Sequence, residues 1–540
     1  MTMDYAFPSF TPGSLTLIVG LGQTGVAAAL WCAARAERLR VLDTRAQPAG
    51  LADLEKGLQA LGNTADLRLG AEHFNEPSLQ GVQRLVLSPG LSPLQEPQRT
   101  LLAQAARMGI PIQGEMELFA LALADLREQG YDPRIVAVTG TNGKTTVVSM
   151  TRNILAASGS NGGLNGSLNV RAAGNIGPAA LTALMDALAA NHLPQVWVLE
   201  LSSFQLQTTR SLRLDAAAVL NLTQDHLDWH GDMTAYGAAK KRLLDMAQVC
   251  IVNRDDKPCL AMVREPLAVN VRTFGAGLTD YVGDMGLDNG NGLLWLAAVQ
   301  DDDDPLPEPP VSRRRKKGVP DIPDEPVLRH TGKVTRLMPV EALGVRGRHH
   351  ALNALAALAL GRVVGQALGL GWGDMLRTLR SYAGEPHRSQ FVRTVEGVHF
   401  VNDSKATNVG ATLAALSGME ADAGSARVVL IAGGVGKGQD FSPLAASVAQ
   451  HARAVVLMGQ DRDALHAALQ PSNLPIQFAD SLGEAVQQAH ALAQAGDTVL
   501  LSPACASLDM FRDYAHRGQV FEAAVQALAR EVTPSPQEAL

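Results

Sequence analysis

The stretch that most restricts what this chain can become is Val136-Ala-Val-Thr-Gly-Thr-Asn-Gly-Lys-Thr-Thr146. A short apolar run ends in Thr139-Gly140-Thr141-Asn142-Gly143-Lys144-Thr145, and a helical pattern follows. Strand, glycine loop and helix in that order make a phosphate-binding loop. Glycines let successive backbone N–H groups converge on phosphate oxygens, and the helix N-terminus adds a positive dipole. Lys144 is spaced to reach β- and γ-phosphates, and the Thr145 hydroxyl, with Thr146 beside it, to meet Mg²⁺. The usual spacing puts a glycine where Val138 stands, so this loop is a variant. A chance Gly-Lys turn would leave the ordered strand, loop and helix unexplained.

A loop of this kind needs a parallel α/β sheet around it, and 540 residues supply about three or four domains' worth of chain. With 46% hydrophobic and 18% charged residues the composition is that of a water-soluble globular protein. A net charge of −7 argues against an extended nucleic-acid footprint. Cys32, Cys250, Cys259 and Cys505 form no C-x-x-C pair, which speaks against a zinc ribbon or disulfide framework and fits a reducing compartment. The N-terminus lacks a signal-peptide pattern, and no apolar run reads as a membrane span. The expectation is a cytoplasmic enzyme with no membrane insertion.

Taken in order, Leu15–Val19 reads as a buried strand followed by Gly20-Leu-Gly22-Gln-Thr24-Gly25, a helix, and a second strand ending at Asp43. This is a G-x-G-x-x-G dinucleotide fingerprint with its acid about twenty residues on. By itself it leaves NAD, another nucleotide and a structural turn open. A later strand, Arg84–Leu87, delivers Ser88-Pro89-Gly90 to the sheet edge where α/β proteins bind ligands. Beyond the phosphate loop, one strand delivers Glu200, and another delivers Asn221 and then Asp225-His226-Leu-Asp228. Asn161–Gly166 and Ala173–Gly177 are glycine-rich loops. Asp301–Pro326, with its aspartate run, its prolines and Arg313–Lys317, has almost nothing to bury and reads as a disordered insertion. A third α/β unit opens near Glu385. Its strands deliver Asp403-Ser-Lys405, Gly433–Lys437 and Ser502-Pro503, and the tail past Val532 is expected to fray.

Lys144, Thr145, Glu200 and His226, with Lys240 on a following helix, are the residue types that hold a γ-phosphate and neutralise its charge with Mg²⁺. An isolated lysine at 240 is more often a solvated helix residue. The residues alone give an ATP user of three α/β units, with kinase, ATPase and ATP-driven ligase all open.

Several motifs together resemble the Mur ligase family of ATP-dependent amide-forming enzymes. They are Thr139–Thr145, Gly174-Asn175-Ile-Gly177, Glu200–Gln205, Asn221–Asp228 and Ala238-Ala-Lys240, then Asn353–Ala357, Pro386-His-Arg388 and Asn402–Asn408. Gly20–Gly25, Asp403–Asn408 and Leu501–Asp509 resemble the D-glutamate-adding branch. The resemblance implies an α/β fold of three domains: a Rossmann-like domain over 1–114, a central ATPase-like domain with a mostly parallel sheet over 115–384, and a Rossmann-like domain over 385–540. It implies that the first fingerprint binds the UDP part of UDP-N-acetylmuramoyl-L-alanine rather than NAD. Asp43, Thr44 and Arg45 would lie at the uracil, and Gly20, Gly22, Thr24, Gly25, Ser88, Pro89 and Gly90 near the diphosphate.

The implied chemistry is phosphorylation of the L-alanyl carboxylate by ATP, followed by attack of the D-glutamate amine on the acyl phosphate. Gly140 to Thr146, Asn353, Arg388 and Asp403 would bind ATP. Thr145, Glu200, His226 and a carbamylated Lys240 would serve two Mg²⁺ ions. Asn175 and His226 would meet the muramoyl substrate, and Thr407, Lys437, Ser507 and Leu508 the D-glutamate. His350 departs from the family's usual asparagine, and Tyr514 from its usual phenylalanine. A monomer with small-molecule substrates is implied. The competing readings are a Mur or folylpolyglutamate-type ligase with a different amine, an NAD(P)-dependent oxidoreductase on Gly20–Gly25, and a nucleotide-gated scaffold using Asp301–Pro326.

Overall fold

Every residue of strand β1, Leu15–Val19, is buried, as a strand covered on both faces must be. It lies at the centre of a sheet with β2 (Arg38–Asp43), β3 (Ala65–Leu69), β4 (Arg84–Leu87) and β5 (Ile112–Gln113). The order is β3-β2-β1-β4-β5, and all pairings are parallel. Strand order reverses between β1 and β4, so the loops after Val19 and after Leu87 open side by side at the switch point. The computed structural model describes residues 5–157, 168–265, 267–301, 328–345, 347–418 and 426–528. The Asn161–Gly166 loop, the insertion beyond Asp301 and the tail past Val532 lie outside the described residues.

The second sheet contains β6 (Arg134–Thr139), β7 (Val170–Gly174), β8 (Val196–Glu200), β9 (Leu214–Val219), β10 (Ala247–Asn253), β11 (Val271–Gly275), β12 (Met285–Gly290), β13 (Leu293–Gln300) and β14 (Lys333–Pro339). Its order is β14-β13-β12-β11-β10-β9-β6-β8-β7. The phosphate-loop strand β6 sits between β8 and β9, so Thr139, Glu200 and Val219 end close together on one edge. Val138, where a glycine was looked for, is a buried strand residue paired with Glu200. The strand runs on through Thr139, and the loop begins at Gly140. The outermost strands, β13 and β14, form an antiparallel pair whose connection holds the insertion. Bridges from Ala268 to Leu328 and from Tyr281 to Thr331 pin its far end.

The third sheet is β15 (Gln390–Val395), β16 (Val398–Asn402), β17 (Val428–Gly433), β18 (Ala452–Met458), β19 (Ile476–Phe478) and β20 (Thr498–Leu501), in the order β15-β16-β20-β17-β18-β19. Only β15 runs antiparallel to its neighbour.

Packing divides the chain into two compact units. One holds residues 1–222, 226–340 and 353–380 and contains the first two sheets; the other holds 223–225, 341–352 and 381–540 and contains the third. Within the first unit a single apolar core runs through Ile18, Trp31, Leu123, Leu181 and Trp197. Helix Glu115–Glu128 is apolar on nearly every side and packs on both helix Gln23–Ala33 and helix Ala180–Ala189. The helix from Arg348 to Leu368 is long and apolar enough by composition to cross a membrane, contrary to the sequence reading, but 67% of its apolar window is buried within the protein. All four cysteines are free and buried.

Candidate active site

The phosphate loop is held by a neighbouring strand end as well as by its own lysine. Asn221, just past β9, accepts the Asn142 amide on Oδ1 at 2.7 Å and donates from Nδ2 to the Asn142 carbonyl at 3.1 Å. The Thr141 amide donates to the Asn221 carbonyl at 3.0 Å, and the Thr141 hydroxyl lies 3.2 Å from the Tyr236 hydroxyl. Gly143 takes φ +83°, the left-handed conformation that glycine adopts without strain. A Cβ there would stand 2.8 Å from Asn353 Oδ1. Asn353 therefore packs against the loop. Thr145 lies in the first turn of helix Lys144–Ala156, while the adjacent Thr146 is buried.

Lys144 Nζ donates to the Gly140 and Thr141 carbonyls at 2.9 and 3.0 Å. Lys240 Nζ donates to the same Gly140 carbonyl at 2.8 Å. Two ammonium groups from separate helices converge on one carbonyl, a positive focus suited to phosphate charge. Lys240 is 1% exposed and lies 4.5 Å over the Tyr236 ring, so it is not the solvated helix lysine of the local alternative.

Glu200 is also 1% exposed. Its Oε1 accepts from Asn175 Nδ2 at 2.9 Å, while Oε2 is buried with no hydrogen-bond partner. A buried carboxylate oxygen left open in this way fits a divalent cation. Among the described residues, no group of three or more His, Cys, Asp or Glu side chains gathers around a common point. A Mg²⁺ ion here would depend on hydroxyl, water and phosphate oxygens, which is its ordinary habit. Gly174 allows the arrangement: its φ is +116°, and a Cβ would stand 2.3 Å from the Glu200 carbonyl. The Asn175 amide donates to that carbonyl at 2.8 Å. His226, at φ +56°, opens the short helix Leu227–His230, its ring edge-on to Phe204 at 4.7 Å. His230 accompanies it, 2.9 Å from Ser203 Oγ; burial, with Lys240 and His226 nearby, pulls its imidazole down to about 4.

The first fingerprint is built for close approach of a ligand. A Cβ on Gly25 would stand 2.0 Å from the Gly20 carbonyl, so the helix can pack on the strand only with glycine there. Around Gly22, by contrast, a Cβ would meet nothing within 4 Å, leaving the helix N-terminus open. Ser88 Oγ donates to the Gly20 carbonyl at 2.6 Å and ties the two switch-point loops together. Asp43 accepts the Leu21 amide at 2.8 Å and is gripped by the Arg45 guanidinium. Burial pushes the Asp43 carboxyl up, but these hydrogen bonds outweigh it and hold it below the usual range. Asp43 and Arg45 thus shape the loop in this state, with Thr44 between them.

In the third sheet's unit, the segments carrying Lys437 and Ser507 are joined by a two-way bridge between Val435 and Ala506, each bond 2.9 Å. Gln439 extends the assembly: its Oε1 accepts the Val409 amide at 3.1 Å, and its Nε2 donates to the Gly436 carbonyl at 2.9 Å. Thr407 is carried on the loop so tied. Leu508 is 70% exposed. Asp403 accepts from Ser502 Oγ at 2.9 Å and from the Ser389 amide at 3.1 Å, next to Arg388. Burial pushes its carboxyl up to about 7 despite those bonds. His349 and His350 lie ring to ring at 4.2 Å, and burial lowers the pKa of both imidazoles.

Three family descriptions match successive parts of the chain: a Mur ligase MurD-like N-terminal domain over residues 14–114, a Mur ligase middle domain over 138–286, and a Mur ligase glutamate ligase domain over 387–505. UDP-N-acetylmuramoylalanine--D-glutamate ligase of Bordetella avium is 57% identical over 98% of this chain and 99% of its own length. The chain belongs to the Mur ligase family. The protein of the same name from Bordetella bronchiseptica is 56% identical over 95% of this chain and 96% of its own. Among solved structures, MurF of Acinetobacter baumannii superposes with a TM-score of 0.52 at 17% identity, covering 85% of this chain and 92% of its own, a likeness of fold.

The sequence motifs named candidate side chains but not what holds them in place. Asn221 was read as a strand terminus and as the first residue of the Asn221–Asp228 motif, with no role of its own, yet it clamps Asn142 through both its side-chain atoms. Gln439 and the fully buried Arg517 carried no signal at all. Arg517 donates to the Ser404 hydroxyl and carbonyl and to the Cys505 carbonyl, joining the Asp403 loop to the Ser507 loop. The middle-domain match ends at 286, inside β12, so the β13–β14 hairpin bearing the insertion lies beyond it.

Proposed function

We propose that this Mur ligase joins D-glutamate to UDP-N-acetylmuramoyl-L-alanine at the expense of ATP, in peptidoglycan precursor synthesis. The observation that carries this reading is the 57% identity, over almost the whole of both chains, to a relative of that name. The built phosphate loop, with Lys144 and Lys240 on one carbonyl, favours ATP as the activating substrate. Neither NAD nor a scaffold accounts for that loop.

In this reading an oxygen of the L-alanyl carboxylate attacks the γ-phosphorus of ATP and ADP departs. The D-glutamate amine then attacks the acyl phosphate, loses a proton, and phosphate leaves with the electrons of the broken C–O bond. Direct attack on the carboxylate would have to expel an oxide, which explains the phosphorylation. Lys144 and the loop amides, with Asn353, Arg388 and Asp403, are assigned to ATP. Gly20 to Gly25 and Ser88 are assigned to the UDP part, and Asn175 and His226 to the muramoyl part. Thr407, Lys437, Ser507 and Leu508 are assigned to D-glutamate; an ammonium group beside oriented donors suits its second carboxylate. Thr145, Glu200, His226 and Lys240 would hold Mg²⁺, two ions in this assignment, which when bound neutralise charge between carboxylate and phosphate. Carbamylation of Lys240 would exchange its cation for an anion and release the Gly140 carbonyl.

The deciding experiment is phosphate release with ATP, Mg²⁺ and UDP-N-acetylmuramoyl-L-alanine against a panel of amines. D-Glutamate should stimulate it alone, and equal stimulation by L-glutamate would overturn the assignment.

A further inference from the structure

One pair of buried carboxylates has no place in that chemistry. Glu115 and Glu117 stand in the first turn of helix Glu115–Glu128, 3% and 5% exposed. Burying a carboxylate costs several kcal/mol unless hydrogen bonds answer it. A glutamate serving only its own helix dipole could do so from the surface. These two reach elsewhere.

Glu115 Oε1 accepts the Leu181 amide at 2.6 Å, and the Ala180 amide bonds to the same carboxylate. Helix Ala180–Ala189 starts at Ala179, which has no side-chain cap to offer, so the cap comes from Glu115. Glu117 accepts the Arg210 and Ser211 amides at 2.6 and 3.0 Å. Each carboxylate thus fixes a backbone segment outside its own helix. The one that Glu115 fixes leads directly into the site: Gly174 donates to the Pro178 carbonyl at 3.1 Å, closing a turn whose next residue, Asn175, holds Glu200 through both its amide and its side chain. The segment is tightly seated, since a Cβ on Gly114 would stand 2.2 Å from Thr208 Oγ1.

We propose that Glu115 is a positioning residue for the substrate end of the site: by capping helix Ala180–Ala189 it fixes the Gly174–Pro178 turn and keeps the Asn175 side-chain Nδ2 on the Glu200 carboxylate. The catalytic consequence rests on the ligase reading; the mechanical link does not.

Two measurements on the full chain test it. In hydrogen exchange without substrates, Glu115→Ala should speed the amides of residues 174–181 by about tenfold or more, leave β6 unchanged, and be largely rescued in Glu115→Gln, which keeps an acceptor. In kinetics, Glu115→Ala should raise KM for UDP-N-acetylmuramoyl-L-alanine about tenfold with KM for ATP within about twofold, and should add less than about twofold in an Asn175→Ala background. If Glu115→Ala does not fold, Glu115→Asp, one methylene short of Leu181, carries the same expectations. Unchanged exchange over 174–181, uniform loosening of the whole fold, or full additivity with Asn175→Ala overturns the proposal. If the exchange result holds but D-glutamate stimulates no phosphate release in the wild type, the ligase reading fails and the link stands.

Discussion

Three ionisable side chains, Lys144, Lys240 and Glu115, carry most of what can be tested one residue at a time. Lys144→Ala removes a charge from the phosphate focus and should lower phosphate release about 100- to 1000-fold, with thermal stability little changed. Lys240→Ala should be similarly poor but partly restored by added short-chain carboxylates, which supply the missing anion; activity indifferent to Lys240→Ala would remove the carbamate assignment. Glu115 gives a pH signature. Burial raises its carboxyl from 4.5 to about 7, against the pull of the Leu181 and Ala180 amides. Between those values the folded chain keeps a proton that the unfolded chain has released, so stability falls as pH rises through the window and stays lower above it. Glu115→Gln has no such proton. Its melting temperature relative to wild type should therefore climb from pH 5 to pH 8, by up to about 3 kcal/mol of relative stability at roughly 1.4 kcal/mol per pH unit. A flat difference would show that Glu115 does not titrate in this range.

Among the elements, the strands legible in the sequence are the apolar, β-branched runs of the parallel sheets. Leu15–Val19, Arg84–Leu87, Val398–Asn402 and Thr498–Leu501 end where the pattern of residues ends them. What escaped were strands whose residues advertise other things. Met285–Gly290 is four-sixths glycine, aspartate and asparagine, and Lys333–Pro339 is an exposed edge with little to bury. Their strand state comes from pairing with β13, which no local propensity reports. The site divided the same way. Glycines and lysines in fixed spacing announce a phosphate loop, whereas Gln439 is one polar residue among many until three loops meet on it. Gln439→Ala should therefore raise KM for D-glutamate about tenfold while leaving KM for ATP nearly unchanged. Gly174→Ala should do broader damage, because a methyl 2.3 Å from the Glu200 carbonyl forces strand β7 off its neighbour.

On the scale of the whole molecule, composition and motif order read out three α/β sheets, and three sheets are there. That the first two share one core was not legible, since it depends on which faces of three distant helices meet. Trp31 and Trp197 belong to that one cluster, although they lie in regions assigned to different domains. A fragment ending at residue 114 should accordingly remain unfolded by circular dichroism, and Trp31→Ala in the full chain should cost about 3–5 kcal/mol, read as a lowered denaturation midpoint. The four cysteines lend themselves to a different use. All are buried, and burial pushes their thiols up, to about 11 for Cys250 and about 12 for Cys505, with Cys32 and Cys259 raised still further. Maleimide dyes react with exposed thiolate, so the native chain is close to silent toward them. A single cysteine introduced on the surface could then carry a fluorophore or spin label without first stripping out the natural four, and an optical record of turnover could be made on an otherwise unaltered enzyme.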